Sequence, residues 1–273
     1  MKKALAALAM AGVIAGCAPQ LPRPTEQPAE EAPAGFPVQR YQAALARGEP
    51  IYRIDRATSL VVIEVRRAGS LARLGHDHVV ASHDVQGYVA PTEARADFYV
   101  PLGLLVVDET ALRAEAGFDT QPSEEDIAGT RRNMMTRVLA VEAYPYAVVA
   151  VSDVAPRAGN AVADVAIALH GTTRKTQIPL RIETGSEEVT VTASVVLAQS
   201  DFGITPLSIL GGAIQVADEV RLRLQIRARR CLTPTCRRRT PRQTSHVPTR
   251  IRTRRRPPTR RVAASPGDSE ALP

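Results

Sequence analysis

Between residues 51 and 228 apolar and polar side chains alternate with a period of two, segment after segment. In Ser59–Arg66, Val61, Ile63 and Val65 alternate with Val62, Glu64 and Arg66. In Arg95–Leu102, Ala96, Phe98, Val100 and Leu102 oppose Arg95, Asp97 and Tyr99. Ile178, Leu180 and Ile182 oppose Gln177, Arg181 and Glu183, and Val189, Val191, Ala193, Val195 and Leu197 oppose Thr190, Thr192 and Ser194. Val220, Leu222, Leu224 and Ile226 oppose Arg221, Arg223, Gln225 and Arg227. Two more segments fit, Ala147–Val154 and Val162–His170, the second with Val165, Ile167 and Leu169 on one face. Successive side chains of a strand point to opposite faces, so this pattern predicts antiparallel strands with one apolar and one wet face.

Ser123–Leu139 departs from that period. Ser123 with Asp126 three residues later is a capping-box signal, and Ile127, Met134 and Val138 recur at helical spacing. It predicts one helix inserted among the strands, ending before Tyr144-Pro145. Seven or eight amphipathic strands without a second apolar layer predict an all-β fold, an eight-stranded antiparallel barrel that buries every apolar face in one interior and leaves no edge. The inward positions are then Val61, Ile63, Val65, Phe98, Val100, Val149, Val165, Ile167, Leu169, Ile178, Leu180, Val191, Leu222 and Leu224. A barrel of about eight strands is either filled by side chains or holds one small ligand. This small-residue lining is compatible with a cavity, and a solid barrel serving as an interaction module is the other reading.

The flanks read differently. Lys2 and Lys3 precede a short apolar run, and Ile14-Ala-Gly-Cys17 follows. Residues 1–17 therefore resemble a bacterial lipoprotein signal with Cys17 as the lipidated residue, too short an apolar run to span a membrane. Ala18 rather than Asp after the cysteine resembles sorting to the outer membrane. Residues 18–50 form a Pro-, Ala- and Glu-rich spacer in which Val38–Arg47 can form a short helix stopped by Gly48 and Pro50. Residues 229–273 combine Arg, Pro, Thr and Ser without an apolar period and predict a disordered tail.

Charge sharpens that division. The chain of 273 residues carries a net charge of +7, but the tail holds 13 arginines against 2 acids. The remainder, with 22 bases and 26 acids, is net −4, so the basicity is no sign of a nucleic-acid-binding face on the folded part. The three cysteines, Cys17, Cys231 and Cys236, all lie outside the strand region, so no disulfide framework holds the barrel together.

The candidate chemistry is concentrated in Leu74–His83, which contains His76, His78 and His83, three of five histidines. His76 and His78 share one strand face, while His83 lies on the other with Val79, Ala81, Val85 and Val89. The favoured role for His76, Asp77 and His78 is polar contact at the barrel mouth, with no catalytic residue and no metal ligand assigned. A metal-dependent hydrolase centred on His76 and His78 is the alternative, since imidazoles beside a carboxylate suit zinc.

Five landmarks occur in order. Ile51-Tyr-Arg-Ile-Asp-Arg-Ala-Thr-Ser59 resembles the opening Tyr-x-Ile-Asp-x-x-x-Ser strand of the YceI-like family. Val85-Gln-Gly-Tyr-Val89 is similar to its Phe-Ser-Gly-x-Val strand, with Val85 where the family has an aromatic. Glu142-Ala-Tyr-Pro145 resembles its Tyr-Pro landmark and Leu169-His-Gly-Thr-Thr173 its Leu-His-Gly-Val-Thr turn. Ser200-Asp-Phe-Gly-Ile204 and Ala217-Asp-Glu-Val220 resemble its closing pair. The resemblance implies a lipocalin-like barrel over residues 51–228 that holds a long isoprenoid chain, such as a polyprenyl quinone, without catalysis and with no other cofactor. It also implies secretion to the bacterial periplasm, here with a lipid anchor in the membrane.

Overall fold

The computed structural model describes residues 32–157 and 160–232. The signal segment with Cys17, the first part of the spacer and the tail beyond residue 232 lie outside the described residues. The barrel opens with β1 (Tyr52–Ile54), β2 (Leu60–Ala68), β3 (His78–Ser82), β4 (Gln86–Ala90), β5 (Arg95–Pro101) and the two-residue β6 (Val106–Val107). After a helical insertion come β7 (Tyr146–Arg157), β8 (Asn160–Leu169), β9 (Thr172–Thr184), β10 (Glu188–Ala198), β11 (Ser208–Ile209) and the long β12 (Ile214–Arg230).

All pairings are antiparallel, and the sheet closes. β1 pairs with β4 on one side and with β12 on the other, giving the eight-membered ring β1-β4-β5-β7-β8-β9-β10-β12. Toward the other end of β12 the wall continues through β2, β3 and β6, so the first two wall positions are each built from two strand segments. Closure leaves no row of unpaired backbone groups in the ring and turns every inner face toward one volume.

The inserted helix forms where the sequence places it. α3 (Glu124–Asn133) follows α1 (Val38–Ala46) and α2 (Thr110–Glu115). Ser123 caps α3: its hydroxyl accepts from the Asp126 N–H at 3.2 Å, and the Asp126 carboxylate accepts from the Ser123 N–H at 3.1 Å. A π-helical turn, Met134–Val138, continues the chain. Ile127, Met134, Met135 and Leu139 pack, half-buried, against the main core cluster of the barrel.

Three features correct the expectation of strands with one wet face and a single helix. First, α2 lays Leu112 over Val62, Val79 and Ala81, so the outer face of β2 and β3 is a second small core. Second, α1 belongs to the folded body rather than to a spacer. Its Tyr41 and Ala44 pack on Ile51, Ala90 and Cys231, the Tyr41 ring stacks on Tyr88, and its hydroxyl donates to Asp97 at 2.6 Å. Third, β12 runs beyond residue 228 to Arg230, and buried Cys231, which is disulfide-bonded, donates its N–H to Ile51 O at 2.8 Å.

Landmarks remote in sequence meet in the fold. His170 and Gly171 both have positive φ, 51° and 75°, and form the two-residue turn between β8 and β9. The Tyr144 ring covers that turn, 4.6 Å from the His170 ring. At the same end, the Ser200 hydroxyl and N–H both donate to the Asp218 carboxylate, which ties the β10 end to the β12 start.

Candidate functional site

The interior is open. A cavity of about 450 Å³ runs inside the barrel, within the range usual for small-ligand sites. Its wall includes every apolar residue that strand alternation assigns inward: Val61, Ile63 and Val65 of β2, Phe98 and Val100 of β5, and Val149 of β7. On the far side stand Val165, Ile167 and Leu169 of β8, Ile178 and Leu180 of β9, Val191 of β10, and Leu222 and Leu224 of β12. Leu102, at the end of the alternating segment Arg95–Leu102, lines it too, and residues outside the alternating segments complete it: Leu105 from the β5–β6 connection, Met134 and Val138 from the helical insertion, and Phe202 and Ile204 from the turn after β10.

The cavity is long rather than round. On β12 alone the lining extends from Val216 to Ile226, which at ~3.3 Å per residue is roughly 30 Å of strand. With a barrel tilt of about 40°, this gives an axial run of roughly 25 Å. A cavity extended along the strands in this way suits an elongated ligand such as a hydrocarbon chain.

Few polar side chains interrupt the wall, and most are committed elsewhere. Gln199 Nε2 donates to Ala217 O at 2.9 Å, the Ser82 hydroxyl accepts from the Asp84 N–H at 3.2 Å, and Arg95 Nε donates to Asp97 at 2.8 Å. Thr184 sits at an exposed rim. His78 and Thr130 remain.

The sequence divides the histidine segment by parity, and the structure refines that division. β3 directs His78, Val80 and Ser82 into the cavity and Val79 and Ala81 outward under α2. The strand breaks at His83 and Asp84, where the alternation slips by one, so Val85 joins the main core and Val89 lines the cavity. The expected face of Val79, Ala81, Val85 and Val89 is therefore split. His83 is exposed and meets Glu109 through Nε2 at 2.8 Å.

His78 has a buried partner that no sequence signal indicated. Its Nδ1 is 2.6 Å from Asp108 Oδ2, and the Asp108 side chain is fully buried. The other oxygen of Asp108 accepts from the Val79 N–H at 3.0 Å and from Arg113 at 2.6 Å. Arg113 also donates to Asp77 O at 2.6 Å and to Thr120 O, anchoring the α2 segment to the start of β3. Burial works against the ionised form of Asp108, but the bonds from His78, Val79 and Arg113 outweigh it and hold the carboxyl below the usual carboxylate range.

The other two candidate contacts stand off the cavity wall. Asp77 accepts the Arg67 N–H at 2.8 Å and faces Arg66 at 3.6 Å, which makes it a clamp between β2 and the turn before β3. His76 Nε2 lies 3.8 Å from Asp126 Oδ2, and its ring meets that of His78 edge-on at 6.2 Å. The two imidazoles address different carboxylates and do not converge. Among the described residues no cluster of three or more His, Cys, Asp or Glu is placed to hold a metal ion, so the geometry gives the hydrolase reading no support.

Solved structures with a similar barrel include BcnA of Burkholderia cenocepacia, 14% identical, with 64% of this chain and 98% of that chain covered at a TM-score of 0.45. A polyisoprenoid binding domain from Saccharophagus degradans, implicated in plant cell wall breakdown, is 12% identical and matches 66% of this chain and 98% of its own at 0.45. The YCEI protein of Campylobacter jejuni is 13% identical, with 54% and 81% covered at 0.38. No curated protein matches the sequence. The family model described as the YceI-like domain matches residues 52–228, which is the closed barrel from its first strand almost to its last. On that match, over well more than half its length, the chain belongs to the YceI-like family.

Proposed function

We propose that the barrel binds one long, apolar, isoprenoid-like lipid and carries, stores or sequesters it without chemical change. The observation that carries this reading is the almost wholly aliphatic cavity that extends along the strands. Burial of a flexible hydrocarbon chain against such a wall contributes roughly 25 cal/mol per Å² of apolar surface removed from water. A polyprenyl quinone or a related prenyl lipid has the required length and section, with a small polar end for the few polar groups to orient.

The direct test is mass spectrometry of organic extracts from protein purified out of membranes. A single class of prenyl lipid in about stoichiometric amount is the expected result. A barrel that is empty after such purification, and that takes up neither added prenyl quinone nor added prenyl alcohol, would overturn the reading.

The same proposal places the protein in the bacterial envelope, facing the periplasm and tethered, at the outer membrane, through lipidated Cys17. Support comes from the Ile14-Ala-Gly-Cys17 pattern and the Ala at 18. Cys17→Ala should move the protein from the membrane to the soluble fraction; unchanged membrane association would sink the tether.

A further inference from the structure

We infer that His78 and Thr130 form a recognition site for a hydroxyl group, an alcohol or phenol O–H, at the end of the bound chain. The inference rests on the lipid-binding reading and specifies the polar end that the cavity accepts.

The argument starts from Asp108. Its carboxylate is fully buried and already accepts from Arg113 at 2.6 Å and Val79 N–H at 3.0 Å, so it is an acceptor only. The His78 nitrogen beside it, Nδ1 at 2.6 Å, must then donate. In the neutral imidazole that leaves Nε2 with a lone pair and no hydrogen, directed to the cavity side of β3. Arg113 fixes the carboxylate from behind, so the tautomer is set before any ligand arrives.

Nε2 is poorly matched as it stands. The Thr130 hydroxyl on α3 lies 3.4 Å away, well beyond the usual 2.7–3.0 Å of a good hydrogen bond, and both residues line the cavity. Val80, two residues on along β3, and Met134, four residues on along the helical insertion, line the same cavity and are apolar. At that distance the Thr130 hydroxyl is a weak partner, and the acceptor stays under-satisfied beside an apolar wall. A ligand hydroxyl between the two residues satisfies both, because its O–H donates to His78 Nε2 while its oxygen accepts from the Thr130 hydroxyl. An ether or carbonyl oxygen has no proton to give and leaves Nε2 unmatched. The site therefore selects a protic oxygen, and the hydrocarbon runs away from it along the barrel.

Delipidated protein is titrated in mildly alkaline buffer with geranylgeraniol and with its methyl ether. The two probes share one chain and differ only in the terminal donor. Wild type should bind the alcohol about tenfold more tightly than the ether, the expected effect of one well-made hydrogen bond to a half-buried acceptor. In His78→Leu and in Thr130→Val the ratio should fall toward one; the threonine change is near-isosteric on a helix and serves if the histidine variant does not fold. Equal binding of alcohol and ether by wild type, or a preference that survives either substitution, overturns the hydroxyl site and leaves the lipid-binding reading standing. Binding of neither probe overturns both.

Discussion

Gly87 shows how little room a single position leaves. It faces Phe98 across the β4–β5 ladder, and a Cβ built on it would lie 2.2 Å from Asp97 O and 2.6 Å from the Phe98 Cα. Both atoms are backbone and cannot swing aside, so the Gly of the Val85–Val89 landmark is there for close approach of two strands. Gly87→Ala should cost about 3 kcal/mol or more in urea unfolding, or abolish folding. Gly129, inside α3 with nothing within 4 Å of its virtual Cβ, is the contrast: Gly129→Ala should stabilise by up to about 1 kcal/mol. A cost below about 1 kcal/mol at Gly87 would show that the ladder yields.

Asp108 carries the pH prediction at the same scale. Its folded carboxyl lies below the ordinary value of 3.8, so the native state binds that proton less readily than the unfolded chain. The stabilisation is complete above the unfolded value and is lost as pH falls through the folded one. Wild type should therefore lose stability on acidification from about pH 5 downward, and Asp108→Asn should show a shallower slope there from a lower starting stability. Unfolding curves at a series of pH values read both, and parallel slopes would refute the assignment. Nothing around Val107-Asp108-Glu109 in the sequence predicted this role, because His78 and Asp108 are 30 residues apart and meet only through the pairing of β3 with the chain after β6.

Among the elements, α1 is where sequence reading and structure differ most. A Pro-rich approach and a short amphipathic run gave no reason to place it on the barrel. The structure seats Tyr41 in a pocket of Tyr88, Ala90 and Ile51 with its hydroxyl on Asp97, and Arg40 reaches Glu93. Burial, reinforced by the Asp97 carboxylate, pushes the Tyr41 hydroxyl far above the ordinary phenol range. Tyr41→Ala should cost about 3–5 kcal/mol and Tyr41→Phe about 1 kcal/mol, by urea unfolding. Equal effects of the two changes would mean that the hydroxyl bond, not the ring, holds the helix. The inserted helix is the opposite case. Ser123 and Asp126 announce its start locally, and Ile127, Met134 and Val138, which recur at helical spacing, lie half-buried against the barrel core.

At the scale of the molecule, the barrel trades core packing for a cavity, and the interior surface left unfilled is stabilisation that a ligand supplies. Lipid bound to the native state alone adds RT ln(1 + [L]/Kd), about 2.7 kcal/mol at a hundredfold excess over Kd. For a domain of this size that is roughly 5–10 °C in Tm. Thermal scans of delipidated and reloaded protein should separate by that amount; coincident transitions would mean that nothing binds inside.

The sequence by itself determined which way most of the strands face, β3 and β4 being the exception. Alternation is a local property of the extended backbone, so Val61 through Leu224 could be assigned to the interior before any pairing was known, and each of them lines the cavity. The capping box and the landmark residues are local in the same sense. The tertiary structure alone decided what depends on contacts between distant segments. Closure of the ring through β1 and β12 is one such contact, and the covering of outer faces by α1 and α2 is another. The slip at His83 and Asp84 reverses the parity of β4 relative to β3, and a period-two argument cannot carry across such a break. His78 is where the two levels meet. Parity brought it out as one of a polar pair, but only the fold supplied the buried Asp108 that orients it and the Thr130 opposite. Both lie far along the chain, and hydrogen bonds between remote segments leave no periodic trace in a sequence.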